Sequence, residues 1–412
     1  MYIKYLERMT KSVYFDNAAT TQVYPHVVKK MLPYFLSQYA NPSSSHSAGQ
    51  NARKDLEKAR TQLARLFRVS PSEICYTSGA TEANNWAIRG CLRNVKTANK
   101  NAKSKKANKM CHIITSSIEH PAVRNTLRDV PCSVTEVPLD KNGRVDVVAL
   151  EKAIRPNTAM ITVMAINNEV GTIQPIAEIG RIAKRHHIPF HCDATQMAGK
   201  IPIYPKKMGI TTMAMSGHKA HGPKGIGALF IDKSYPLCSC QTGGGHEHRK
   251  RAGTENVPSI IGMTEAFAYN LKPKQRATRH IQSIRTYLKK ELQKLGCIIH
   301  EAPAPYQSPY IIHCSVPYSR NNQIIKCLNK HNIFVNVGSA CGNGKSHVLT
   351  AMRISPKEQK GALRISLSSL NTMKDAQKLI TCLRMCLSQK CLSQKCLSLS
   401  QKCSRKCVSL KK

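Results

Sequence analysis

Hydrophobic and polar positions alternate between two periods over most of the chain. Residues 41–67, NPSSSHSAGQNARKDLEKARTQLARLF, begin with polar starters and continue with apolar residues at helical spacing, which predicts a helix from about Ser47. EICYTSG reads as a short strand and ATEANNWAIRGCL as a helix beginning just after Gly79. HIITSSIEH is a strand, and PAVRNTL a helix with Pro121 at its first position. AMITVMAINNE predicts a strand, PIAEIGRIAKRHH a helix and IPFHCDATQ a strand; TTMAMSG and IGALFI then flank a glycine-rich segment, SGHKAHGPKG, at 216–225. Such alternation implies an α/β fold with a mostly parallel sheet covered on both faces. After about residue 270 longer helical segments surround a few strands, which predicts a smaller second domain containing FVNVGSACGNGKSHVLTAM and GALRISLSSL.

Polar clusters fall where the strands end: TSGATE, EH, NNE, DATQ and SGHK. Ligands of open α/β sheets bind beyond the carboxyl ends of the strands, so these clusters predict a single site. In TSGATE, Gly79, Ala80 and Thr81 stand at a helix start, where free amides and the helix dipole favour a phosphate. A threonine there serves equally as an ordinary cap. Asp193 follows an apolar strand, where a carboxylate is costly unless it meets a cation. The glycine-rich segment is not a nucleotide-binding P-loop: Gly217 and Gly222 have the spacing, but Pro223 stands where the lysine belongs and removes a backbone donor. Taken singly, Asp193 and Lys219 read as a structural contact. Together with a phosphate nest they fit pyridoxal phosphate, the lysine forming a Schiff base and the carboxylate pairing with the pyridinium nitrogen.

Composition narrows the class. A chain of 412 residues, 41% hydrophobic, can bury a substantial core and is expected to form two domains. No apolar run is long enough to span a bilayer, and the N-terminus lacks the layout of a secretory signal, so a cytoplasmic location without membrane attachment is expected. Seventeen cysteines, odd in number and scattered, argue against a disulfide framework and are expected to be reduced. Cys238 and Cys240 with His246 and His248 match no common zinc spacing, so no metal site is expected. The net charge of +40, from 63 basic and 23 acidic residues, favours non-specific contact with nucleic acid or anionic surfaces. Part of it is local: residues 94–109, NVKTANKNAKSKKANK, read as a solvated, flexible insertion, and 386–412 as a low-complexity, basic, cysteine-containing tail.

Ten segments occur in an order that identifies a family: DNAATT (16–21), NPSSSH (41–46), TSGATEANN (77–85), EHPAV (119–123), INNEVG (166–171), DATQ (193–196), SGHKAHGPKGIGAL (216–229), GGGHEHRKRAGTEN (243–256), GSAC (338–341) and ALRISL (362–367). Over about residues 12–385 the chain resembles the cysteine desulfurases of the NifS/IscS type, in the class V aminotransferase group of fold-type I pyridoxal-phosphate enzymes. The resemblance implies a large domain over 21–269 with a mostly parallel seven-stranded sheet. A small α+β domain at 270–385 would carry the catalytic cysteine loop, and a segment at 1–20 would pack with it.

Residue by residue, the resemblance implies Lys219 as the Schiff-base lysine, Asp193 on the pyridine nitrogen and Gln196 on the ring's phenolic oxygen. His120 would stack on the ring and move protons. Ala80 (through its backbone), Thr81, Ser216 and His218 would hold the phosphate, completed by Thr254 from a partner subunit, so a homodimer follows. Asn168 and Arg364 would orient the substrate, the guanidinium taking its carboxylate through two parallel hydrogen bonds. Cys341, in GSAC, would be the nucleophile: L-cysteine displaces Lys219, the freed amine removes the α-proton, and the Cys341 thiolate attacks the substrate sulfur. L-alanine and a persulfide on Cys341 result, and the sulfur passes to an iron–sulfur scaffold or tRNA-thiolation protein. The chain departs from the family pattern at GITTMAM before SGHK, at Gly342 after the cysteine, and in its charge. A selenocysteine lyase, another class V enzyme and an RNA-associated protein using the fold as a platform are the competing readings; loss of sulfide production on Cys341→Ala, or RNA binding that survives loss of Lys219, separates them.

Overall fold

The computed structural model describes residues 12–101, 110–272, 275–317, 319–338 and 346–388. A seven-stranded sheet has the order β2-β8-β7-β6-β5-β3-β4, made of Ile74–Thr77 (β2), Cys111–Ser116 (β3), Cys132–Val137 (β4), Thr158–Thr162 (β5), Phe190–Asp193 (β6), Thr212–Ser216 (β7) and Gly227–Ile231 (β8). β8 runs antiparallel to both neighbours, and the other pairs are parallel. Every residue of β6, β7 and β8 is buried, as expected of strands covered on both faces. β4 escaped the sequence reading. It is an edge strand with mostly half-buried residues, and its run CSVTEV is short and mixed in polarity.

The helix predicted from Ser47 spans Ser47–Phe67, with the His46 side chain accepting from the Gly49 amide at its start. Leu56, Leu63 and Phe67 bury their stripe, and Arg60 lies in that same stripe at 2% exposure. A guanidinium so deep needs a partner. Glu247 supplies it, its Oε2 and Oε1 lying 2.7 and 2.8 Å from the two Arg60 terminal nitrogens, and Oε2 also accepts from the Tyr76 amide at 2.8 Å. Glu247, His248 and Arg249 all have positive φ, so the pair pins a strained left-handed turn to the sheet, just upstream of Thr254.

A second core gathers around the antiparallel sheet β12-β10-β9, Ala362–Ser366 (β12), Ile311–Ser315 (β10) and Ile298–Ile299 (β9), with the helix Gln275–Lys294 and a helix over 373–388. Val13 and Phe15 belong to this core, and the strand Val13–Tyr14 (β1) pairs in parallel with Ile333–Phe334 (β11). The N-terminal segment therefore leaves the small core and runs straight onto the glycine-rich segment of the large domain, the Thr21 amide donating to the His218 carbonyl at 2.9 Å.

Three expectations change. The helix beginning at Ala80 continues to Asn101, so the first half of the lysine-rich run is helical; residues 102–109 lie outside the described residues. Cys386 is buried and belongs to the second core, because Leu379, Leu383 and Cys386 continue one apolar helical face; only 389–412 of the expected tail lie outside the described residues. The expectation of uniformly reduced cysteines fails at Cys327–Cys386, which form a disulfide 59 residues apart in sequence. Among the described residues no helix is long and apolar enough to cross a membrane.

Breaking the Arg60–Glu247 pair leaves the buried guanidinium with only the half-exposed Glu57, 3.2 Å from its Nε, and the Ile74 carbonyl. Glu247→Ala is expected to lower the unfolding free energy by about 3–5 kcal/mol, measured as a drop in the urea midpoint at unchanged slope.

Candidate active site

Polar residues at the strand ends converge on one cavity of about 520 Å³. Ala80, Thr81, His120, Asn168, Asp193, Gln196, Ser216, His218 and Lys219, nine of the positions singled out in the sequence, line it together. Three others do not. Arg364 is buried behind the wall, Thr254 is exposed on its loop away from the cavity, and Cys341 lies outside the described residues.

At one end the cavity is built for an anion. The helix Ala80–Asn101 opens there, and its first amides are not used by the helix itself. Ser216 and His218 face it, joined by Lys224, which the sequence reading passed over. Burial pushes His218 down to about 4, so it is a neutral imidazole, with Nδ1 at 3.1 Å from the Thr20 hydroxyl.

The other end lacks a cation. Asp193, 4% exposed at the end of β6, has no ion-pair partner among the described residues. Its oxygens accept from the Thr195 amide at 3.0 Å and from Asn84 Nδ2 at 2.8 Å. Asn84 must present its amide nitrogen to a carboxylate, which turns its oxygen toward His191 Nε2 at 2.9 Å. Burial holds His191 neutral, at about 4, so Nε2 carries its proton and Nδ1 accepts from the Thr212 hydroxyl at 2.9 Å. A one-directional chain from Thr212 through His191 and Asn84 thus fixes the carboxylate. Asn84 was legible: it lies one helical turn after Ala80 in TSGATEANN, on the face that meets the cavity. His191, two residues before Asp193 in HCDATQ, gave no separate signal.

A second carboxyl close by is neutralised. Burial raises Glu119 to about 8, and its Oε1 accepts from the Ser116 hydroxyl and the Met164 amide. Next to it, His120 caps the helix Pro121–Asp129, its Nδ1 accepting from the Ala122 amide at 3.1 Å. That bond leaves the proton on Nε2, and the solvent-accessible ring faces the cavity. Partial burial lowers its pKa; Asp193 opposes the shift and Lys219 adds to it.

Lys219 Nζ donates to the carbonyls of Ala18 and Ala19 at 3.0 and 2.7 Å. Burial lowers it to about 8, Arg364 lowers it further, and Asp193 and Asp16 oppose the shift. Gln196 Nε2 donates to the same Ala18 carbonyl at 2.9 Å. Arg364, on β12, donates to Asp16 at 2.7 Å and to the Asn168 carbonyl at 2.9 Å, while its Nε has no partner. An anion seat and an unpaired carboxylate with a lysine between them suit a ligand with a phosphate at one end and a cationic ring at the other.

Residues 13–379 match the family described as aminotransferase class-V. The chain is 39% identical to a cysteine desulfurase IscS of Methanosarcina thermophila over 376 residues, covering 90% of each chain. It is 37% identical over 375 residues to a cysteine desulfurase of Nostoc, covering 89% of this chain and 91% of that protein. Among solved structures, a NifS-like protein superposes with a TM-score of 0.84 at 35% identity, covering 92% of this chain and 99% of that one. SspA in complex with cysteine superposes with a TM-score of 0.74 at 34% identity, covering 86% and 99%.

Lys219 in the cofactor-free protein is expected to titrate near pH 8, well below an ordinary lysine. Asp193→Asn should lower the midpoint further, since the carboxylate favours the ammonium form. NMR of the reductively methylated protein, with Lys219→Ala assigning the resonance, measures both.

Proposed function

The chain belongs to the class V aminotransferase family and, within it, to the cysteine desulfurases, and from that premise we propose how its residues divide the work on L-cysteine. The observation that carries the reading is Asp193, a buried carboxylate held by a directed hydrogen-bond chain with no cation to meet it. Pyridoxal 5'-phosphate fits. Its phosphate suits the free amides after Gly79 with Thr81, Ser216 and His218, its ring nitrogen suits Asp193, its phenolic oxygen Gln196, and its aldehyde Lys219. When bound, that cofactor withdraws electrons from the substrate's α-carbon.

The remaining roles fall to side chains. Lys219, its amine lowered to about 8, would accept the α-proton at Nζ. His120, with its Nε2 proton facing the cavity, would hold the cofactor and pass protons. Arg364 takes the substrate carboxylate, with Asp16 fixing the plane of the guanidinium and Asn168 beside it. The Cys341 thiolate attacks the sulfur of the substrate: an S–S bond forms, the substrate's C–S bond breaks, and its electron pair stays with carbon, which is protonated to give L-alanine. The cysteine keeps a persulfide for an acceptor protein. The described chain on either side of that residue supports this role, since Gly338 offers its carbonyl to Arg364 at 3.3 Å and Ser346 donates to Glu169 at 2.5 Å, both next to Asn168.

We assign the working unit as a homodimer. Thr254 is exposed and outside its own cavity, which suits a residue that completes the partner's phosphate seat. Phe35, Leu36 and Tyr39 are 57%, 73% and 77% exposed in one short stretch, an apolar surface that suits burial against a second copy.

Lys219→Ala is expected to abolish both the cofactor's visible absorbance band and alanine formation. Cys341→Ser should keep the band and its response to L-cysteine, while sulfide release under reductant falls by at least about three orders of magnitude. Absorbance with and without L-cysteine, and alanine and sulfide assays, measure these outcomes; a wild-type protein that cannot be reconstituted with pyridoxal phosphate defeats the reading.

A further inference from the structure

Lys200 is a half-buried cation that the reaction described above does not use. It sits on the turn after β6 and donates from Nζ to Gln196 Oε1 at 2.8 Å. The Ala18 carbonyl only accepts and the Lys200 amine donates, so the two together hold the Gln196 amide with its oxygen toward Lys200 and its nitrogen toward the cavity. One of the Gln196 amide N–H bonds goes to the Ala18 carbonyl, the acceptor that Lys219 also uses; the second is free for a ligand. Lys200 and Lys219 also face a second cavity, of about 1150 Å³, behind the first. The charged groups turned toward Lys200 are Lys219 and Arg364, and it bears in turn on His218 and His221. The Tyr310 ring lies 5.8 Å from its Nζ, and among the described residues no carboxylate pairs with it. Burial and those two cations push it down to about 7.

We propose that Lys200 is a positioning residue for the cofactor: with the Ala18 carbonyl it holds the Gln196 amide with its NH2 toward the ring oxygen of bound pyridoxal phosphate, and in its protonated form it sets a second positive charge beside Lys219. The inference rests on the pyridoxal-phosphate reading of the cavity. A side chain without a donor at 200 removes one of the two contacts that hold the amide, the other being the Ala18 carbonyl, and loosens the N–H aimed at the cofactor oxygen. Removing the charge also relieves repulsion at Lys219, which favours the protonated nitrogen of the cofactor linkage.

The test compares wild type with Lys200→Met, Lys200→Gln and Lys200→Arg, reading pyridoxal phosphate affinity by titration of the apoprotein and the pH midpoint of the visible band of the bound cofactor. Lys200→Met is expected to weaken affinity about ten-fold and to raise the midpoint by about one unit. Lys200→Gln, which keeps a donor without the charge, should recover most of the affinity and retain the raised midpoint. Lys200→Arg should restore both. Wild-type affinity and midpoint in Lys200→Met overturn the proposal. Should that variant fail to fold, Lys200→Gln decides alone, and a wild-type midpoint there overturns it. A residue that merely supports the fold would lower the melting temperature and leave the midpoint in place. A wild-type chain that develops no visible band with pyridoxal phosphate refutes the reading of the cavity itself, before any variant is compared.

Discussion

A carboxylate buried with no cation is the constraint on which the site depends. Asp193 is 4% exposed where it meets the cavity, and burying a charge there is costly unless something pays for it. Several ionisable neighbours are shifted toward neutrality: Glu119 is pushed up to about 8, His191 down to about 4, and Lys219 and Lys200 down from the ordinary lysine range. What the protein leaves unmet at Asp193 is a cation. At the opposite end Lys224 and the helix amides face the cavity, Glu82 is paired with Arg251, and no carboxylate forms an ion pair with Lys224 among the described residues. A dipolar ligand, phosphate at one end and pyridinium at the other, relieves both imbalances at once.

The N-terminal segment transmits that arrangement to the small domain. Phe15 is locked in the small core, Asp16 pairs with Arg364, the carbonyls of Ala18 and Ala19 hold Lys219 Nζ, and Thr21 grips the backbone of His218. The seven positions from Phe15 to Thr21 therefore set the distance between the group assigned to the substrate carboxylate and the group assigned to its α-carbon, with a turn at 17–19 between them.

The sheet was legible because its central strands are short apolar runs punctuated by polar clusters, and each cluster marked a strand end. Asp193, Lys219 and Thr81 followed from that placement and from the order of the segments around them. The features that were hidden depend on contacts remote in sequence. Nothing local announces that Arg60 and Glu247, 187 positions apart, neutralise each other, or that Lys200 turns inward onto Gln196 when most lysines of so basic a chain face water. Cys386 misled for a related reason: its repeat looks like the start of a low-complexity tail, and only the helical face it shares with Leu379 and Leu383 places it in the core. The direction of the Thr212–His191–Asn84 chain needs two strands and a helix brought together before donors and acceptors can be assigned.

Local folding and site chemistry draw on the same atoms. The bond that caps the helix at Pro121 consumes His120 Nδ1, so ending the loop correctly also fixes which imidazole nitrogen bears the proton. The Ala18 carbonyl that orients Gln196 also holds Lys219 in reserve, and the helix start that orders Ala80–Asn101 supplies the anion seat. Substitutions here cannot be sorted into structural and functional kinds. A change that loosens the cap after Glu119 frees the tautomer of His120, and one that shifts Ala18 disturbs the amide and the amine together.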